Sequence, residues 1–211
     1  MLISFDDLVS VVRERGAARR SVTALAGPPG AGKTTLAEKL QKALDAAEPG
    51  CAAVLPMDGF HFDDWVLVPR GLRTRKGAPE TFDVAGLAHI LLRLRANDEP
   101  EIAVPVFDRS LEIARSGARM IPRSVRHLIV EGNYLLLDRD PWRTLAPLFD
   151  TTVAIDTGID TLHNRLTARW RGYGLNDAEI EAKVSGNDLI NARLVIAESR
   201  AAEFRIGESA A

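Results

Sequence analysis

The sequence predicts a three-layer α/β fold built on a mostly parallel, doubly wound sheet. Short apolar runs alternate with stretches of helical pattern, the order in which each strand is followed by a crossover helix to a parallel neighbour. Between the first apolar run and the first long helical stretch stands Gly27-Pro28-Pro29-Gly30-Ala31-Gly32-Lys33-Thr34. This is a complete G-x-x-x-x-G-K-[ST] sequence in the strand, loop, helix context that phosphate binding requires. The chain has 211 residues, 46% apolar and 27% charged, enough for one such unit with a large core and a small cap but short of two full domains.

Each element follows from local pattern. Ser4 is placed to cap a helix over residues 5–15 that Gly16 closes. Val22-Thr23-Ala24-Leu25-Ala26 is the first strand, and the helix over 33–47 stops before Pro49-Gly50. Cys51-Ala52-Ala53-Val54-Leu55 reads as a second buried strand. From Asp58 to Glu80 the chain is polar, with glycine and proline, and too long for an idle connection, so a functional segment is expected there. Asp83 can cap a helix to about Arg95, with Leu87, Ile90, Leu91 and Leu94 on one face. Residues 101–104 and 118–121 are expected to pair as a small hairpin inserted between core elements. His127-Leu128-Ile129-Val130 and Thr151-Thr152-Val153-Ala154-Ile155 continue the core strands, with Pro141 opening a short helix between them. Residues 159–171 and 177–198 read as helical, and Glu203-Phe204-Arg205-Ile206 as a final strand.

The glycine-rich stretch implies a nucleoside triphosphate site. Gly27, Gly30 and Gly32 let the backbone curl its N–H groups round one anion, a curl in which Pro28, Pro29 and Ala31 take part. The helix beginning at Lys33 adds its positive N-terminal end. Lys33 supplies a mobile cation for the β and γ phosphates, Thr34 a hydroxyl for Mg²⁺, and Thr35 continues the helix beneath them.

In an open parallel sheet, ligands sit beyond the carboxyl ends of the strands, so acids directly after apolar strands are the next candidates. Asp58, after the second strand, could face the γ-phosphate and act on an attacking hydroxyl; an Asx-turn before Gly59 is an equally weighted reading. Glu131, after Ile129-Val130, stands where an acid commonly serves Mg²⁺, directly or through water; a carboxylate capping the following turn is the alternative.

Taken in order, these segments resemble the P-loop kinases that include uridine kinase, phosphoribulokinase and type I pantothenate kinase, and through them the P-loop NTPase fold. The matching stretches are Gly27 to Thr35, Met57-Asp58-Gly59-Phe60-His61, Arg70-Gly71-Leu72 through Lys76 to Asp83, Pro105-Val106-Phe107-Asp108 and Ile129-Val130-Glu131-Gly132-Asn133. The resemblance implies an ATP-dependent, Mg²⁺-requiring kinase acting on a small-molecule hydroxyl. It implies Asp58 as the catalytic carboxylate, Glu131 as the metal-associated acid, Glu80 as a contact to substrate hydroxyls and Phe107 as an aromatic of the acceptor pocket. Arg165, Arg169 and Arg171 lie where the family carries a lid, about 165–186, whose arginines reach the phosphates; Arg165 and Arg169 are assigned to the nucleotide and Arg169 to catalysis. A solvated helical face competes for each arginine taken singly.

Segments 58–83 and 101–121 are expected to wall the acceptor pocket, with His61, Arg70, Lys76, Glu80, Phe107 and Arg109 as its contacts; His61 reads equally as a turn residue. The chain departs from the nucleoside kinases at Arg109-Ser110-Leu111-Glu112. Its run from Gly186 to Arg193 resembles bacterial proteins described as fructose-transport-system kinases, which makes a sugar such as fructose the first expectation and uridine-like nucleosides or pantothenate the alternatives. A rival class, an NTP-hydrolysing switch without a small-molecule acceptor, lacks support from any N-K-x-D guanine signature.

A net charge of −2 gives no bulk attraction to nucleic acid or anionic membrane, and neither is expected as a partner. The single Cys51, the absence of a membrane-length apolar run and an acidic rather than basic start suggest a cytoplasmic protein, monomer or homodimer, forming one unit over 1–211.

Overall fold

The computed structural model describes residues 1–207; the last four residues of the expected unit, 208–211, lie outside it. In chain order the regular elements are α1 (Phe5–Arg15), β1 (Ser21–Ala26), α2 (Lys33–Asp45), β2 (Ala52–Pro56), α3 (Asp64–Leu67) and α4 (Val84–Ala96). They continue as β3 (Glu101–Asp108), β4 (Ile113–Pro122), β5 (His127–Gly132), β6 (Thr151–Asp156), α5 (Ile159–Gly172), α6 (Asp177–Lys183), α7 (Leu189–Glu198) and β7 (Phe204–Gly207). Five strands form one parallel sheet in the order β2-β5-β1-β6-β7, and β3 and β4 pair apart from it as an antiparallel hairpin.

The sheet is buried on both faces, which is why its strands read as unbroken apolar runs. Along β1, Val22, Ala24 and Ala26 join the core that packs under α4, the hairpin and Trp142. Leu25, pointing the other way, joins the core beneath α1, α2, α5 and α7. The helices start where their caps dictate. Ser4 Oγ accepts from Asp7 N at 3.2 Å, Asp83 from Gly86 N at 2.8 Å, and Asn176 and Glu179 form a reciprocal capping box.

Arg20 ties hairpin, helix and sheet together. Its buried guanidinium donates to Val125 O at 2.7 Å, to Leu94 O in the last turn of α4 at 2.9 Å and to Pro122 O at 2.7 Å. Burial lowers its pKa, and the three carbonyls satisfy the charge that water would otherwise hold.

Three expectations need correction. The hairpin runs past Val104 and Ala118, because its register shifts between Val104 and Val106; Pro105 has no N–H to offer, and the irregularity lets pairing resume beyond it. Residues 177–198 are helical throughout but not uniformly, since a π-helical turn, Val184–Asp188, separates α6 from α7. The first long helix also ends at Asp45, two residues before the expected 47.

Candidate active site

The loop from Gly27 to Thr34 crosses the carboxyl end of β1 and enters α2 at Gly32. Gly30 (φ 83°) and Gly32 (φ 92°) both take left-handed backbone, where a side chain would be strained. Lys33 is 8% exposed and donates through Nζ to Pro28 O at 3.0 Å. Burial pushes its pKa down, opposed by the negative charges of Glu131 and Asp58. Arg165, exposed on α5, donates to Gly30 O at 3.3 Å and so touches the loop.

The sheet register sets the two acids beside this loop. β5 lies between β2 and β1, with Glu131 opposite Pro56 on one side and Leu25 on the other. Glu131 is 6% exposed and accepts from the Thr34 hydroxyl at 3.2 Å. Burial raises its pKa, with Lys33 opposing. Lys33 is driven down and Glu131 up, because desolvation outweighs their mutual attraction.

Asp58 sits in the 3₁₀ turn Met57–Phe60, directly after β2. Its carboxylate accepts from Arg109 Nη2 at 2.8 Å, while its carbonyl oxygen takes His61 N at 3.2 Å and His61 Nδ1 at 2.8 Å. The carboxylate therefore answers a residue 51 positions away at the hairpin tip. Two glycines let this turn pack closely. A Cβ on Gly59 would lie 2.6 Å from Pro105 O, and one on Gly132 would lie 2.5 Å from Met57 Cβ.

Beyond Asp58 the cleft opens to about 500 Å³ and is lined by both predicted pocket segments. The His61 ring lies against Phe82 (4.0 Å) and Phe107 (4.7 Å). Burial lowers its pKa, with the Asp58 charge opposing. Because a carbonyl only accepts, Nδ1 carries the proton in the neutral ring and Nε2 is left as an acceptor. Lys76, its side chain 6% exposed, pairs with Asp64 at 2.8 Å and donates to Glu112 O at 2.6 Å. Tyr134 donates to Gly77 O at 2.6 Å, fastening this block to the end of β5.

Two expected contacts lie outside the cleft. Arg70 is exposed and stacks over the Phe62 ring at 5.2 Å. Glu80 is exposed and pairs with Arg75 at 3.5 Å. Arg73, which sequence did not single out, lines the cleft and pairs with Asp64.

Of the three arginines of α5, Arg169 lines the cleft, Arg165 reaches Gly30, and Arg171 turns to Asp177 at 3.1 Å. The opposite wall comes from the π turn and the start of α7, with Asn187, Asp188 and Asn191. Trp170 Nε1 donates to Asp188 Oδ2 at 2.7 Å; burial nonetheless raises the Asp188 pKa. Asn133 also lines the cleft.

The oxygen donors fit Mg²⁺ chemistry. Among the described residues no group of three or more His, Cys, Asp or Glu side chains is gathered as a metal site. Mg²⁺ needs none, since it is commonly held by one or two protein oxygens and the phosphates of its nucleotide. Thr34 Oγ and Glu131 are such a pair.

A parallel sheet with a phosphate loop at the end of its central strand, an acid on each of two neighbouring strand ends and a polar cleft beyond them defines a nucleotide-dependent transferase. No protein-family model matches the chain. Among curated proteins it is 38% identical over 189 residues to the uncharacterized protein YggC of Escherichia coli, covering 88% of this chain and 77% of that one. It is 34% identical over 185 residues to the "putative uridine kinase C227.14" of Schizosaccharomyces pombe, covering 84% and 78%. Among solved structures, a "putative fructose transport system kinase" from Silicibacter sp. TM1040 superposes with a TM-score of 0.89 at 40% identity, covering 96% of this chain and 98% of that one.

The chain belongs to the P-loop kinases that include uridine kinase, pantothenate kinase and phosphoribulokinase. It is accordingly an ATP-dependent phosphotransferase with a small-molecule acceptor, which sets the switch alternative aside. No helix among the described residues is long and apolar enough to cross a membrane.

Proposed function

We propose that the chain transfers the γ-phosphoryl group of Mg·ATP to a hydroxyl of a sugar such as fructose. The observation that carries the catalytic part is the convergence of Lys33, Thr34, Asp58 and Glu131 on one cleft from three adjacent strand ends. Lys33 and the loop amides hold the β and γ phosphates. Thr34 and Glu131 would hold Mg²⁺, which would supply neutralisation of charge on the phosphates. Asp58 takes the proton of the acceptor hydroxyl as its oxygen attacks the γ-phosphorus and the bond to ADP breaks. Arg169, in the lid formed by residues 165–186, steadies the charge spread over the transferring group. His61, Lys76, Phe107 and Arg109 hold the acceptor.

The preference for a sugar rests on the 40% identity to a protein named for fructose transport and on a cleft wall rich in hydrogen-bonding side chains. Nucleosides and pantothenate are the alternatives. A lone cysteine, buried as Cys51, suits a reducing cytoplasm, where we place the protein as a monomer or homodimer.

The test is acceptor-dependent ADP release, measured with fructose, uridine and pantothenate. Asp58→Asn is expected to bind ATP as before and to lose about 10²-fold or more in kcat. Undiminished turnover in that variant would remove Asp58 from the chemistry, and ADP release indifferent to every acceptor would remove the acceptor reading.

A further inference from the structure

The π turn and the first turn of α7 hold polar side chains with no part in the phosphoryl chemistry above. Their orientation follows from a chain of hydrogen bonds. Asn187 Nδ2 donates to Lys76 O at 3.1 Å, and a main-chain carbonyl can only accept, so the Asn187 amide cannot be turned round. Its oxygen then faces Asn191, whose Nδ2 donates to it at 3.2 Å. That fixes Asn191 in turn, and its Oδ1 is left without a donor.

Asn191 is 2% exposed. Among the buried, unpartnered side-chain polar atoms of the described residues, its Oδ1 alone belongs to a residue lining the cleft. A buried acceptor without a donor is costly to keep, and native structures seldom keep one without a use. Three positions before it, hence on the same helical face, Asp188 also lines the cleft. Trp170 occupies only Oδ2 of Asp188, so lone pairs on the other oxygen remain for a ligand. The π turn fits this use, because one extra residue per turn re-aims the side chains that follow, and such turns recur at functional sites.

We infer that Asp188 and Asn191 form the specificity wall of the acceptor site and accept hydrogen bonds from two neighbouring donors of a polyhydroxylated acceptor, away from the hydroxyl that is phosphorylated. The inference rests on the acceptor reading of the cleft given above. It assigns recognition to acceptor oxygens of the protein, so a compound that offers only acceptors or an apolar end on this side binds poorly. Site-built hydrogen bonding discriminates strongly against analogues that lack the donor, because the protein group is then left buried and unpaired.

The experiment measures ADP release with fructose, uridine, pantothenate and D-glycerate, first with the unmodified protein and then with Asn191→Leu and Asp188→Asn. Asp188→Asn keeps an oxygen for Trp170 Nε1, so it remains informative should Asn191→Leu fold badly. For the acceptor that stimulates ADP release, each variant is expected to raise KM about tenfold, the size of one buried hydrogen bond, with KM for ATP and the unfolding temperature little changed. A deoxy analogue lacking the hydroxyl read here should lose about tenfold with the unmodified protein and little more with the variant, the signature of a direct contact. Unchanged acceptor KM in both variants would overturn the inference and leave the kinase reading standing. No stimulation by any of the four compounds would count against the acceptor reading itself.

Discussion

Gly59→Ala tests how the Asp58 turn is held. Gly59 has no positive φ to preserve, so the backbone of alanine is acceptable there and only space decides. The added Cβ would stand 2.6 Å from Pro105 O, 2.9 Å from Pro105 C and 3.3 Å from Val106 N, all backbone atoms that cannot swing aside as a side-chain end would. Ordinary contact begins at 3.4 Å, so turn and hairpin must part by about 0.8 Å. Overpacking of this kind costs about 1–3 kcal/mol, and at about 2–4 °C per kcal/mol for a chain of this size the unfolding temperature should fall by roughly 2–12 °C. The larger effect falls on turnover. Asp58 is the preceding residue, and a misplacement near 1 Å can cost about 10²-fold in rate. A coupled ADP-release assay on protein shown to be folded should therefore give kcat lowered by about 10- to 100-fold, with KM for ATP within about twofold, because the phosphate loop sits on β1 and not on this turn. Wild-type kcat in a folded Gly59→Ala protein would refute the claim that this close approach positions Asp58.

Gly172→Ala adds a methyl at the last residue of α5 with nothing within 4 Å of the new Cβ, and it should raise the unfolding free energy by up to about 1 kcal/mol, so a lower denaturant midpoint would contradict this. Asp150 accepts from Val22 N and Arg95 at 2.8 Å and Arg19 at 2.7 Å; burial pushes its pKa up, but these partners outweigh it and hold the carboxyl below the usual carboxylate range. Its contribution is thus present above the unfolded value and lost as pH falls through the folded one, so Asp150→Asn should cost about 1.5–3 kcal/mol at pH 7 and progressively less below pH 4, and denaturant unfolding showing an equal gap at pH 3 would contradict this. The double variant Lys33→Met/Glu131→Gln, which removes both buried charges, should unfold no lower than the wild type without nucleotide and gain nothing from Mg·ATP, whereas a fall of several degrees would mean that the pair stabilises the free protein.

What sequence could and could not reveal follows from the range of each interaction. Strand runs, the glycine loop and the caps at Ser4 and Asp83 are local, and they stand where pattern placed them. The placement of Glu131 and Asp58 at the cleft was also legible, because a parallel sheet carries ligands at its carboxyl ends whatever the side chains. The 58–83 segment was legible as a segment but not by residue. It folds as successive short turns, α3, Arg73–Arg75 and Pro79–Thr81, with no period from which to tell which face a side chain takes. Hence Arg70 lies over Phe62 and Glu80 on Arg75, while Arg73 meets Asp64 nine positions earlier. The wall at Asn187, Asp188 and Asn191 escaped for another reason. A face counted at 3.6 residues per turn through 177–198 loses its phase at the π turn, so helical periodicity does not tell which of these side chains reach the cleft.

The internal contacts of the site have a common logic on the reading proposed above. Three groups that would meet a ligand in the phosphoryl chemistry already have an internal substitute. Pro28 O stands in for a phosphate oxygen on Lys33, the Thr34 hydroxyl for a cation on Glu131, and Arg109 for the acceptor hydroxyl on Asp58. Binding there is an exchange of partners, so the net gain at each point is about that of an ordinary hydrogen bond, on the order of 1 kcal/mol, rather than the full strength of the new contact. Such exchange cannot by itself discriminate strongly between acceptors. Asn191 Oδ1 has no substitute. A donor arriving there replaces nothing, and the whole cost of the unpaired oxygen is recovered only by a molecule that carries that donor. The position least concerned with phosphoryl transfer is therefore the one at which acceptor identity weighs most.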